Sequence, residues 1–134
     1  MANLIKNGDF ANQRDHWTET NPTNVSYVNG HCIIATPDSI SQDVLLGSEG
    51  GGKFMISARM KTLHGYAGRV TVQPLPTGDP VELDVSGGQN WTIKFKEFEA
   101  PLATLKFTVK AESNDGTFDE LGSYFSDLTL SKLL

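Results

Sequence analysis

Three stretches of alternating character carry the polar side chains best suited to gripping a ligand. Within 53–62, Ser57, Arg59 and Lys61 share one phase. Within 69–75 it is Arg69, Thr71 and Gln73, and within 104–112 it is Thr108, Lys110 and Glu112. Guanidinium, ammonium and amide groups donate several hydrogen bonds each. Side by side, these strands would form one polar sheet face able to bond hydroxyl groups; the plainer alternative is a solvated face with no ligand. Tyr66, between Gly65 and Gly68 and beside His64, is the ring best placed to help, as a loop aromatic next to two of these strands. Its alternative role is a tyrosine packed on the rim. Tyr27, Phe118 and Tyr124 also lie near turns.

Catalytic chemistry finds little footing. His16, His31 and His64 fall in separate segments without His-x-x-x-His spacing, and no Gly-x-Ser-x-Gly occurs. Asp115, Asp119 and Glu120 cluster around Gly116 as a solvated turn would. Cys32, in the run HCIIA, reads as a small buried apolar residue. The chain is therefore expected not to be an enzyme.

The elements that must carry these residues are short strands. A chain of 134 residues is about one domain long and can bury a core without staples, so 1–134 is expected to form a single domain. Eleven Lys and Arg stand against 16 Asp and Glu, a net charge of −5. That leaves no basic footprint for nucleic acid and disfavours docking on anionic lipid. No apolar run is long enough to span a membrane, and the N-terminus shows no signal-peptide pattern.

Val25–Val28 and His31–Ala35 flank Asn29-Gly30, a hairpin signal. Ile40–Val44 alternates, and the glycine run 47–52 cannot be regular structure. Residues 53–62 put Phe54, Ile56, Ala58 and Met60 on one face; 64–68 reads as turn or loop. Pro74, Pro76 and Pro80 end pairing or confine it to an edge. Trp91, Ile93 and Phe95 share a phase, taken as inward, with a bulge expected near Phe98 and Pro101. Trp17 is taken as core. Gln42, in phase with Ile40 and Val44, would be a buried amide needing partners, or could reach a ligand. About eight to ten strands with turns every 8–12 residues predict an all-β, antiparallel sandwich or jelly roll.

Read together, several pieces resemble the carbohydrate-binding modules of the family 4, 9 and 22 group, which are galactose-binding-domain-like jelly rolls. The chain opens on NLIKNGDFA with Trp17 following. Gly30 sits at the hairpin, and Ile40-Ser41-Gln42-Asp43-Val44 follows. Then come Lys53–Lys61, Trp91–Pro101 and the closing YFSDLTL of Tyr124–Leu130. The resemblance spans nearly the whole chain. It implies non-catalytic binding of a glycan or short sugar through a polar sheet face and adjacent loops, with Arg59, Gln73, Tyr66, Lys61, Lys110 and Ser57 as candidates. It also implies an extracellular setting, as a module of a larger glycan-degrading enzyme or as a lectin-like protein alone.

A structural calcium is a further implication, held by carbonyls near Asp9 and Gly30 and by the Asp127 carboxylate. Ala11 and Ser126 stand where the family carries acids. The alternative for Asp9 and Asp127 is turn capping. The rival function is a structural or protein-interaction sandwich, adhesin-like or toxin-associated, that has lost sugar binding.

Overall fold

The structure, a computed structural model, describes residues 2–47 and 50–133. Among the described residues, ten strands form two five-stranded sheets. Sheet I has the order β1 (Thr18–Glu19), β4 (Ser39–Leu45), β9 (Lys106–Asp115), β6 (Tyr66–Leu75), β7 (Val81–Ser86). Sheet II has the order β2 (Val25–Val28), β3 (His31–Ala35), β10 (Leu121–Lys132), β5 (Gly52–Thr62), β8 (Thr92–Ala100). Every pairing between these strands is antiparallel. A 3-10 turn, Pro22–Asn24, precedes β2 and is capped by the Asn21 side chain. The jelly-roll sandwich expected from the strand pattern is what forms.

The core follows from period-two alternation. Phe54, Ile56, Ala58 and Met60 of β5 are buried, and so are Phe107, Val109 and Ala111 of β9 and Val70 and Val72 of β6. Phe54 meets Phe107 edge-on at 4.9 Å between ring centres, joining the two sheets. Cys32 is fully buried within this cluster. Burial, and then the Glu19 carboxylate, push its thiol well above the usual range. Only a thiolate attacks thiol reagents. Native protein at mildly alkaline pH should therefore label no faster than it unfolds; rapid labelling without denaturant would contradict the packing.

Two local expectations fail. β6 begins at Tyr66, so 64–68 is not all loop: Tyr66 pairs with Asp115 and Ala67 with Asn114. β8 has no bulge. Its pairing with β5 runs without a register shift from Met60–Thr92 to Gly52–Ala100, and Phe98 packs inward against Phe54 at 5.8 Å. The glycine run 47–52 overlaps residues 48–49, which lie outside the described residues; Gly52 already belongs to β5. Pro74 fits the edge rule. β7 pairs with β6 only as far as Val72, so Pro74 pairs with Phe107 on one side while its other side meets no strand.

The opening segment laces the two sheets together. Leu4 N–H donates to the Leu130 carbonyl (2.8 Å), and the Asn3 side chain bonds Leu128 O and Leu130 N–H of β10. On its other side, Lys6 N–H and C=O exchange bonds with the Gln42 amide of β4, both 2.9 Å. Gln42 is thus a half-buried structural amide whose partners are backbone, as a buried amide requires. Phe10 and Trp17 close the end of the core, 5.5 Å apart.

Candidate functional site

The candidate site is the outer face of sheet II. Directly opposite residues in an antiparallel pair point to the same side. Arg59 pairs with Ile93 and Ser57 with Phe95. Since Ala58 and Met60 fill the core, Ile93 and Phe95 face solvent, 64% and 67% exposed. Trp91, Ile93 and Phe95 do share a phase, but it is the outward one. The reason lies at the edge. β8 ends the sheet, and its inward positions include Lys94 and Lys96, opposite Ala58 and Ile56. Both lysines are exposed, and Lys96 Nζ reaches across to the Glu82 carbonyl of β7 (3.0 Å). Inward-phase lysines on an edge strand also discourage edge-to-edge pairing.

Trp91 stands just before β8, on a loop fixed to the end of β5. Thr62 N–H donates to the Gln89 carbonyl (2.9 Å), and Gln89 N–H donates to the Thr62 hydroxyl (3.3 Å). The Asn90 side chain accepts from Trp91 N–H at 2.8 Å. So held, the half-buried indole lies across the sheet. Its ring centre is 4.7 Å from that of His31 on β3 and 6.1 Å, edge-on, from that of Tyr124 on β10. The Arg59 guanidinium sits 4.8 Å over the indole, and Lys61 Nζ sits 4.9 Å over the Tyr124 ring. The result is a row of rings edged by cationic and polar groups, with Ile93 and Phe95 continuing it down β8. Exposed apolar area rimmed by polar groups marks a binding surface more often than chance exposure does.

The polar residues singled out in the sequence do not form one face. Ser57, Arg59 and Lys61 lie here, while Gln73 and Lys110 belong to β6 and β9 on the outer face of sheet I, across the core. Strand alternation fixes phase but not sheet membership. The sheet I face is polar and internally satisfied: Gln73 Nε2 donates to the Pro74 and Gly78 carbonyls, and Lys110 pairs with Glu112 at 3.4 Å. Tyr66 is not a loop aromatic open to ligand; it is buried, with its hydroxyl donating to Glu120 Oε2 (3.1 Å). The residues missed as ligand candidates are Trp91, Ile93 and Phe95; Tyr124 is already among the rings near turns. The available signal was an apolar phase on a strand whose other phase is Thr92, Lys94 and Lys96.

At the seam the Asp9 side chain, the Gly30 carbonyl and the Asp127 carboxylate each have a partner. Asp9 Oδ1 accepts from Ala11 N–H (3.1 Å). The Gly30 carbonyl accepts the Ser126 hydroxyl (2.9 Å). Asp127, at a bulge of β10 with φ 50°, turns its carboxylate outward to Arg59 (3.4 Å). Calcium takes roughly six to eight oxygens, several of them anionic. The implied set, the carbonyls near Asp9 and Gly30 with the Asp127 carboxylate, supplies one anionic group, and that group lies beside the Arg59 guanidinium. Among the described residues no group of three or more His, Cys, Asp or Glu side chains is close enough to hold a metal ion.

No protein-family model matches the chain, and no curated protein matches it. Solved structures do match, and those of modules from carbohydrate-binding families 61, 4, 16, 22 and 6 cover most of the chain. A family 61 module in complex with β-1,4-galactotriose aligns over 99% of this chain and 100% of its own, at 16% identity and TM-score 0.70. The enzymatically active domain of tailspike protein 4 from bacteriophage CBA120 aligns over 98% of this chain but 21% of its own, at 12% identity and TM-score 0.74. The family 22 and glycoside hydrolase family 10 modules of Clostridium thermocellum xylanase 10B, complexed with xylohexaose, align over 98% and 29%, at 17% identity and TM-score 0.63. The fold is that of the carbohydrate-binding-module jelly rolls.

Proposed function

We propose that this chain binds carbohydrate without changing it, through the outer face of sheet II. Trp91 and Tyr124 form the stacking platform, Phe95 and Ile93 extend it, and Ser57, Arg59 and Lys61 donate hydrogen bonds to sugar hydroxyls. The observation that carries this reading is the row of rings on one solvent-facing sheet. A sugar presents an apolar C–H face and a polar rim, and a platform of rings edged with donors complements both. Several structural neighbours are modules captured with oligosaccharides, and in the xylanase the module belongs to a larger enzyme. Attachment to a larger enzyme or assembly is proposed here too. Calorimetric titration against galacto-, xylo- and gluco-oligosaccharides tests the reading; no heat with any of them, together with no binding to any oligosaccharide on an array, would sink it.

One observation favours a second reading, a protein-interaction module. Leu45, Leu102 and Leu105 are 77%, 88% and 63% exposed at one end of the sandwich, and Leu45 and Leu105 line a shallow apolar hollow with Leu75 and Pro76. A chain that bound no glycan but captured a protein through this end would bear that reading out.

The seam between the opening segment and β10 is proposed to close on hydrogen bonds. The melting midpoint should then be the same with calcium and with chelator. Ser126→Ala should cost about 1–2 kcal/mol, the loss of a donor to a part-buried carbonyl. A midpoint raised by calcium would overturn this.

A further inference from the structure

We propose that the Trp91–Tyr124 platform selects an anionic sugar, a pyranose bearing a carboxylate or sulfate ester, with the anion held between Lys61 and Arg59. This deepens the carbohydrate-binding reading and rests on it. The first observation is a contrast between the two outer faces of an acidic chain, net −5. On sheet I every cation has an acid beside it. Arg69 meets Asp84 at 2.6 Å and Glu82 at 3.3 Å, Lys106 meets Asp43 at 3.2 Å, and Lys110 meets Glu112. That face neutralises itself. On sheet II, Lys61 meets no carboxylate within ion-pair distance among the described residues. Arg59 meets one, Asp127, through a single nitrogen at 3.4 Å.

The second observation is where these two cations are held. Each lies over a platform ring rather than reaching into solvent. At an exposed site such a contact is weak, about 0.5–1 kcal/mol. It nevertheless restricts a long side chain beside the surface where a sugar would stack, so less rotamer entropy is lost when an anion arrives. Arg59 and Lys61 are two residues apart on one face, about 7 Å along the strand, a spacing one pyranose substituent can bridge. Arg59 offers its remaining N–H donors as a fork suited to carboxylate or sulfate oxygens. The acids of β8 are remote. Glu97 is four residues beyond Ile93, about 13 Å along the strand, and Glu99 is farther.

The test is titration of the whole chain with length-matched oligosaccharides at low and high salt: oligogalacturonate and oligomannuronate, a sulfated galacto-oligosaccharide, and neutral galacto- and manno-oligosaccharides. At least one acidic ligand should bind about tenfold tighter than its neutral counterpart at low salt, with the advantage shrinking as salt screens the half-exposed cations. Whether the carboxylate or the sulfate arm leads identifies the anion. Lys61→Gln and Arg59→Gln should each cut the acidic-to-neutral preference about fivefold, the upper end for an exposed ion pair, and Lys61→Arg should keep it. Neutral ligands bound as tightly as every acidic one, or a preference untouched by Lys61→Gln, would overturn the inference and leave carbohydrate binding standing. Binding to neither kind would remove both.

Discussion

Trp91→Ala should weaken glycan binding by about 30-fold or more. Truncating a ring at the centre of a recognition surface typically costs at least about 2 kcal/mol, and each 1.4 kcal/mol is tenfold. The effect should be larger than at any other single position of the platform. Trp91 joins His31, Tyr124 and Arg59 through three ring contacts, so its loss also releases the guanidinium. Phe95→Ala, at an exposed position with only a rim role, should cost a few-fold. Stability provides the control. Trp91 lies outside the core cluster, so the melting midpoint should fall by only a few degrees.

Fluorescence gives an independent readout, because the chain has two tryptophans. Trp17 is buried, its Nε1–H bonded to the Asn7 carbonyl at 3.0 Å. Sugar binding should therefore change the emission and quencher access of Trp91 alone, and Trp91→Phe should abolish the response. Full affinity in Trp91→Ala would move the site off this face.

β5 and β8 explain how much of this was legible in the sequence. In β5 the apolar phase Phe54, Ile56, Ala58 and Met60 is the core phase, because the strand is interior to its sheet and covered by the facing one. The same reading applied to β8 finds the phase of Trp91, Ile93 and Phe95 but reverses its direction. Alternation has two sides, and the sequence of an edge strand does not say which one the opposite sheet covers. The polar phases of β5, β6 and β9 look alike for the same reason, yet the chain crosses between sheets after Thr62 and puts Arg59 and Gln73 on opposite surfaces. The seam was more readable. Trp17 is core as expected, and Asn3, in the same opening segment, ties the start of the chain to β10.

Tyr66 shows what local sequence cannot hold, and it carries the largest expected effect on stability. A tyrosine between Gly65 and Gly68 looks like a loop ring. The residues that define its environment are instead Gly116 and Gly122, far along the chain. A Cβ on either would overlap the Tyr66 ring, so the two glycines form a slot that the ring fills. Gly116 also sits at φ 76°, a conformation glycine takes freely. At Gly122 no positive φ intervenes, and the requirement is for space alone.

Tyr66→Ala should empty the slot and cost about 3–5 kcal/mol, as large aromatic truncations do, lowering the melting midpoint by about 10–20 °C. Tyr66→Phe, which loses only the bond to exposed Glu120, should cost less than about 1 kcal/mol. Gly122→Ala should be costly by itself, because it expels the ring. In the double variant Tyr66→Ala/Gly122→Ala the new methyl occupies space the ring has left, so the two losses should fall short of their sum by about 1–3 kcal/mol. Urea unfolding of the four proteins measures the coupling. Strict additivity would mean that ring and glycine do not share the slot. Sugar affinity supplies the second axis: Tyr66→Ala should retain it to within a few-fold below its melting range, because the bond from Gly87 N–H to the Tyr66 carbonyl, which helps fix the Trp91 loop, is made by backbone alone.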